Sequence, residues 1–195
     1  MVGRPKQFVR EEALESAMGI FWEKGFEATS VQDLLDEMGI NRGSMYDTFG
    51  DKRALFLDAV RHYSEHVEAR LIGPLKEMGT PEARIKQFFK SVIELNASGE
   101  RRGCFFTNTI VEEAPHDREA AGILRGTLDR LEKALKECLD EAAEVGELAE
   151  DVCTRAAARQ MVSIVQGVAV MARLKMPKAW LRDVICSSFR SMFPK

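Results

Sequence analysis

Two short stretches of this chain combine residue types that can do chemistry. The first is Arg42-Gly43-Ser44, followed closely by Tyr46, Asp47 and Lys52. Its guanidinium, hydroxyl and ammonium groups can bond phosphates and base edges when one helix face presents them. The second is RRGCFFTNTIVEEAPHD, residues 101–117, in which Cys104 follows Arg101, Arg102 and Gly103. In the first turn of a helix, two positive charges and the helix dipole favour the Cys104 thiolate, which reacts with electrophiles and oxidants. The competing reading is a small buried residue beside Phe105 and Phe106. Asn108, Thr109, Glu112 and His116 follow at i, i+1, i+4 and i+8, so one face turns its polar groups either into a cavity or to solvent.

Other reactive types are sparse. His62 and His66 stand at i, i+4, where a helix could offer both to a metal, but no third ligand lies nearby, so solvated or pocket-lining histidines are expected. The four cysteines, Cys104, Cys138, Cys153 and Cys186, are too widely spaced for a zinc knuckle, and most are expected in the core. No metal or other cofactor is expected. An enzyme using Cys104 as nucleophile would need His116 as base, yet twelve residues span roughly 18 Å of straight helix. Pro115 breaks that helix and weakens the objection; the chain also has no Gly-rich phosphate loop.

The elements that must position these residues are helical. Among 195 residues, 45% are hydrophobic and 30% charged, with six prolines and no sustained period-two alternation. An all-α fold follows, large enough for a small head joined to a larger body. No apolar run of 18 residues and no leader-like start occur, which implies a cytoplasmic protein with no membrane partner. The formal charge is −3, and residues 1–52 hold six basic side chains against ten acidic ones. Non-specific attraction to a polyanion is therefore weak, and contacts must depend on where the few donors sit.

Around the first stretch, Ser30 and Asp33 form a capping-box start, Val31, Leu34, Leu35 and Met38 a buried face, and Gly39 a left-handed stop. Asn41 starts a second helix, Arg42 to Thr48, with Met45 and Phe49 inward. Two short helices about a tight turn make a helix-turn-helix, preceded by an amphipathic helix from Arg10 to Lys24 and a basic arm holding Arg4, Lys6 and Arg10. The arm either reaches a DNA backbone or minor groove or is a terminus whose charge does nothing specific.

Ala17, Phe21, Gly25, Phe26, Thr29, Val31, Leu34, Gly39, Ile40, Gly43, Met45, Tyr46, Phe49 and Lys52 follow one pattern. Residues 17–52 thereby resemble the DNA-binding domain of the TetR family of bacterial transcriptional regulators, and residues 101–117 resemble a segment of one branch of it. The resemblance implies phosphate contacts at Thr29, Tyr46 and Lys52 and a short helix that reads the major groove. Arg42, Gly43 and Ser44 then face base edges. Asp47 either repels phosphate or accepts from a cytosine amino group.

The helix from Asp51 to Leu75 would link a head, residues 1–52, to a ligand-binding and dimerisation body, residues 53–195. Within the body, Cys104, Phe105, Asn108, Thr109, Glu112 and His116 are the candidate effector-binding or sensing residues. The segment Cys153 to Lys175 is apolar on nearly all sides, and with the helix around Trp180 to Met192 it is suited to a four-helix dimer interface. Expected partners are double-stranded operator DNA, a small-molecule or electrophile effector, and a second copy of the chain. The overall reading is a homodimeric regulator, in the sense of a repressor; the rivals are the Cys104 enzyme and a helical ligand-binding dimer without DNA binding.

Overall fold

The computed structural model describes residues 8–96 and 103–193, so Arg4, Lys6, Arg101 and Arg102 lie outside the described residues. Among those described, every regular element is helical: α1 Arg10–Lys24, α2 Val31–Met38, α3 Arg42–Phe49 and α4 Lys52–Ile72, which runs into a 3-10 turn at Gly73–Lys76. Then follow α5 Pro81–Asn96, α6 Phe105–Glu112, α7 Arg118–Glu144, α8 Thr154–Arg173 and α9 Lys178–Met192. Among the described residues no helix is long and apolar enough to cross a membrane.

Local chemistry fixes the helix ends. At α2 the capping box forms in full: the Asp33 N–H donates to Ser30 Oγ at 3.1 Å and the Ser30 N–H to Asp33 Oδ2 at 2.9 Å. Gly39 ends α2 at φ 65°, the left-handed conformation a side chain would strain. Asn41 caps α3 by accepting the Ser44 N–H at 2.9 Å, Asp51 caps α4 and Asp117 caps α7.

Two cores result. The first joins Ala17 and Phe21 of α1, Leu34 of α2, Met45 and Phe49 of α3 and Leu55, Phe56 and Val60 of α4, but also takes in Phe105, Phe106 and Leu124 of the body. Full burial of each such side chain contributes about 1.5–3 kcal/mol, so the head shares its core with the body. The second lies among α4, α5, α7, α8 and α9, with Phe88, Leu135, Leu139 and Met161 fully enclosed.

Ionic contacts reinforce the junction. Arg53 on α4 reaches both Asp117 oxygens, at 2.7 and 3.0 Å, and Glu119 at 3.1 Å, while Arg61 bonds Glu119 at 2.7 Å. Arg10, expected both in the basic arm and at the start of the first helix, starts α1, pairs with Asp58 at 2.6 Å and lies over the Phe49 ring at 5.2 Å. The cysteines also depart from expectation: only Cys138 is buried, Cys104 and Cys186 are half-buried and Cys153 is exposed at the start of α8.

Candidate nucleic-acid interface and effector cavity

The outward face of α3 is bare. Met45 and Phe49 point into the head core, and the intervening turns leave Arg42, Gly43, Tyr46, Asp47 and Thr48 exposed, with Ser44 half-buried. A Cβ at Gly43 would stand 3.2 Å from Asn41 Oδ1, a tight contact that the capping side chain would have to relieve by a small shift. The Lys52 ammonium lies 4.4 Å from the centre of the Phe26 ring, held at the edge of the same surface.

Thr29 requires a correction. It is only 1% exposed, and its hydroxyl donates to the Gly25 carbonyl at 2.6 Å. The side chain therefore ties the α1–α2 turn together and offers no free donor to phosphate. Beside it, Lys24 bonds Asp33 at 2.7 Å, and that bond, with the Ser30 hydroxyl and N–H, holds the Asp33 carboxyl well below the usual carboxylate range. The pair fixes α1 against the cap of α2.

In the body, five helices enclose a small cavity. Tyr63, Val67 and Leu71 of α4 face Val92 and Leu95 of α5, Cys104 and Phe106 beside α6, Leu128 and Leu131 of α7, and Val165 and Ala169 of α8. Among the described residues its polar lining is Asn96, Thr107, Thr127 and Gln166 with the Tyr63 hydroxyl and Cys104 thiol, and none of those lining it is Asp, Glu, Lys, Arg or His. About 30 Å³ remains open inside, room for a water molecule. Thr107 donates to Gln166 at 2.8 Å, linking α6 to α8.

Cys104 is the residue before α6, and its sulfur lies 3.5 Å from the Tyr63 hydroxyl. Burial, then the neighbouring thiol, push the Tyr63 phenol well above its ordinary range, so it stays protonated and is the natural donor to a thiolate. Tyr63 also packs edge-on to Trp22 of α1, ring centres 5.3 Å apart, and to Phe105 at 5.6 Å. Phe105 in turn meets Phe56 at 6.1 Å, and Phe56 meets Phe26 at 4.8 Å, beneath Lys52. A continuous run of rings thus joins the cavity wall to the outer surface.

Of the residues expected at an effector site, the cavity wall takes only Cys104. Phe105 is turned into the head core, and Thr109 is buried with its hydroxyl donated to the Phe105 carbonyl at 2.8 Å. Asn108 and Glu112 meet Arg173 of α8, at 3.2 and 3.4 Å. His116 is exposed, because α6 ends at Glu112 and a turn carries the chain past Pro115. The reason is rotation: Thr107 lies on the side of α6 that faces the cavity, whereas Asn108 and Glu112 lie on the side that Arg173 covers. His62 and His66 meet edge-on at 4.4 Å, and no group of three metal-ligating side chains occurs among the described residues. Sequence reading missed Tyr63, Thr107, Thr127 and Gln166. The signal for Gln166 was its polar interruption of the most apolar helix.

Comparison with known proteins follows this geometry closely. Residues 13–59 match the model of the bacterial regulatory proteins of the tetR family, and residues 81–187 match the tetracyclin repressor-like C-terminal domain. The chain is 38% identical over 162 residues to the uncharacterized HTH-type transcriptional regulator YezE of Bacillus subtilis, covering 82% of this chain and 84% of that one. To the HTH-type transcriptional repressor ComR of Escherichia coli it is 29% identical over 173 residues, covering 88% and 82%. Among solved structures, a cysteine-substituted form of the TetR family transcriptional regulator CifR, complexed with 26 bp double-strand operator DNA, superimposes with a TM-score of 0.84. It is 25% identical and covers 97% of this chain and 100% of that one. With both halves matched, and by motifs that this structure assembles into one head and one body, the chain belongs to the TetR family of bacterial regulatory proteins.

Proposed function

We propose that this chain is a cytoplasmic DNA-binding transcriptional repressor, acting as a homodimer on near-palindromic double-stranded operator DNA and released by a small-molecule or electrophile effector. The observation that carries the reading is the bare face of α3, a capped helix fixed from beneath by Met45 and Phe49 with its donors turned outward. Residues 1–52 read DNA, and residues 53–195 bind effector and partner. Arg42, Gly43 and Ser44 meet base edges, with Asp47 placed to accept from a cytosine amino group. Tyr46 and Lys52, with Arg4 and Lys6 of the arm, meet phosphates. Thr29 acts indirectly, by holding the turn that sets the angle of α2.

Dimerisation has a surface to use. Val170, Leu174 and Trp180 of the α8–α9 region remain 44, 70 and 40% exposed in the single chain, and a second copy of the same surface would cover them. Two α3 helices then enter successive major grooves about 34–36 Å apart. Opening the cavity for a ligand displaces Tyr63, Val67 and Leu71, all on α4, whose first turns belong to the head core. Effector binding therefore favours the arrangement in which the heads no longer match that spacing. Modification of Cys104 acts at the same place, since added bulk on sulfur breaks the contact with Tyr63. We read the chain as non-catalytic: the close partner of Cys104 is Tyr63, while His116 is exposed beyond the end of α6.

The test is binding of the purified protein to its own promoter region and to shuffled DNA at moderate salt. Preference for the promoter is expected, and equal binding to both would sink the proposal. In the same assay, Cys104→Ser should keep promoter binding but lose release by electrophiles or oxidants. Unchanged release in that variant would confine the effector to non-covalent binding in the cavity.

A further inference from the structure

We infer that the trough between α5 and α9 is a second ligand site, for an amphiphilic anion: a carboxylate carrying an unbranched apolar chain. The trough lies outside the enclosed cavity and on different residues, and its occupancy does not depend on whether the chain binds DNA. It holds about 560 Å³ of open space, within the range of small-molecule sites.

Its direction is fixed at one end. The Glu82 N–H at the start of α5 donates to Glu147 at 2.9 Å, and the Ala149 N–H, two residues on, donates to the Met192 carbonyl at the end of α9 at 2.9 Å. The two helices therefore run antiparallel from a shared loop. Phe89 and Ile93 of α5 and Ile185 and Phe189 of α9 form an apolar floor between them. From Lys178 to Arg190 the α9 side of the trough extends about 18 Å at the helical rise, a length that suits an extended alkyl chain.

The rim is cationic although the whole chain carries a net charge of −3. Among the described residues Lys86, Lys90, Lys178, Arg182 and Arg190 line it, against one carboxylate, Glu94. Two of these cations are already engaged: Lys86 pairs with Glu82 at 2.6 Å and lies 5.3 Å from the Phe189 ring centre, and Lys90 stands 3.9 Å from Glu94. Lys178, Arg182 and Arg190 have no ion pair or side-chain hydrogen bond among the described residues. An apolar floor excludes inorganic anions as the preferred occupant, and uncompensated cations disfavour a cationic amphiphile. What satisfies both is a negative head beside Arg182 with an apolar tail along the floor.

The half-buried Cys186 thiol lines the same trough and serves as a reporter. The experiment titrates the full-length protein with sodium octanoate, decanoate and dodecanoate below their micellar concentrations, with dodecyltrimethylammonium as the control. Binding is followed by calorimetry, and alkylation of each cysteine is read by peptide mass spectrometry. Dodecanoate is expected to bind and to slow alkylation of Cys186 selectively. Each methylene removed should weaken binding about fourfold, the value of one buried CH₂. Arg182→Glu and Lys178→Glu, both at exposed positions, should each weaken dodecanoate at least tenfold while leaving the thermal midpoint in place.

Equal binding of the cationic amphiphile, indifference to chain length, or no effect of either charge reversal would overturn the proposal. So would protection of Cys104 in place of Cys186, which would move the ligand to the enclosed cavity. A Cys186 that resists alkylation without ligand and becomes reactive on dilution would also overturn it, by making a second copy of the chain the occupant.

Discussion

The surface of α3 and the cavity behind α4 are built in opposite ways. The surface takes Arg42, Ser44 and Tyr46 from one eight-residue helix, with Lys52 at its edge, and the groups that fix it, Asn41, Met45 and Phe49, lie within nine residues of one another. The cavity draws on five helices, and its linking hydrogen bond, Thr107 to Gln166, joins residues 59 apart in sequence. One region is thus a rigid local display and the other a space left between distant elements. The difference teaches where control can enter: a display cannot be retuned from within, whereas a space bounded by α4 changes when that helix moves.

The comparison breaks most directly at the residue that stands between the two regions. Phe105 packs in the head core against Phe56 while its neighbours Cys104 and Phe106 line the cavity. Phe105→Ala should cost about 3–5 kcal/mol in urea unfolding, and loss of the shared core should split one cooperative transition into two. If a single transition persists with the same slope, head and body do not depend on that ring for their coupling.

The display itself is sharpened by Arg42→Ala. A bidentate base contact predicts a loss of about 1–3 kcal/mol on promoter DNA with stability unchanged, measured by fluorescence anisotropy. An equal loss on shuffled DNA would instead make Arg42 a phosphate contact.

A smaller effect is expected at the ionic junction. The hydrogen bond from Arg53, followed by the backbone N–H groups of α7, holds the Asp117 carboxyl below its ordinary range. A depressed acid adds stability that is present above its unfolded value, about 3.9, and is lost as pH falls through the folded one. Asp117→Ala should therefore cost about 1 kcal/mol near neutral pH, mostly as a lost cap, and its difference from the parent should close below about pH 4. Thermal midpoints across that range are the check.

The smallest expected change has the opposite sign. Burial, then the charges of Glu27 and Glu112, push the Glu113 carboxyl up, so its ionised form costs stability at neutral pH and the cost disappears as pH falls through the raised value. Glu113→Gln should raise the thermal midpoint slightly at pH 7 and converge with the parent on acidification. A variant that is less stable at pH 7 would mean that the carboxylate has a stabilising partner.

Much of this molecule was legible in the chain, and unevenly so. The ends of α2 and α3 were readable because a capping box, a left-handed glycine and an Asn cap are each completed within four residues, with no help from elsewhere. The helical class and the buried faces were readable because periodicity records which side of a helix avoids water. Periodicity does not record what that side meets. Thr29 reads as a surface donor until the fold closes the α1–α2 turn over it, and nothing near Arg10 in the chain announces its partner Asp58, 48 residues away.

The same limit governs the cavity. Cys104 could be singled out by its type and neighbours, but only packing put Tyr63 beside it, Gln166 across from it, and Asn108 and Glu112 on Arg173. The sequence by itself determined the helices, their caps and the outward donors of α3, since these depend on energies exchanged between near neighbours. The tertiary structure alone decided which residues share the cavity, how the head is tied to the body and where the α5–α9 trough lies, because those depend on rotations of whole helices that distant contacts set together.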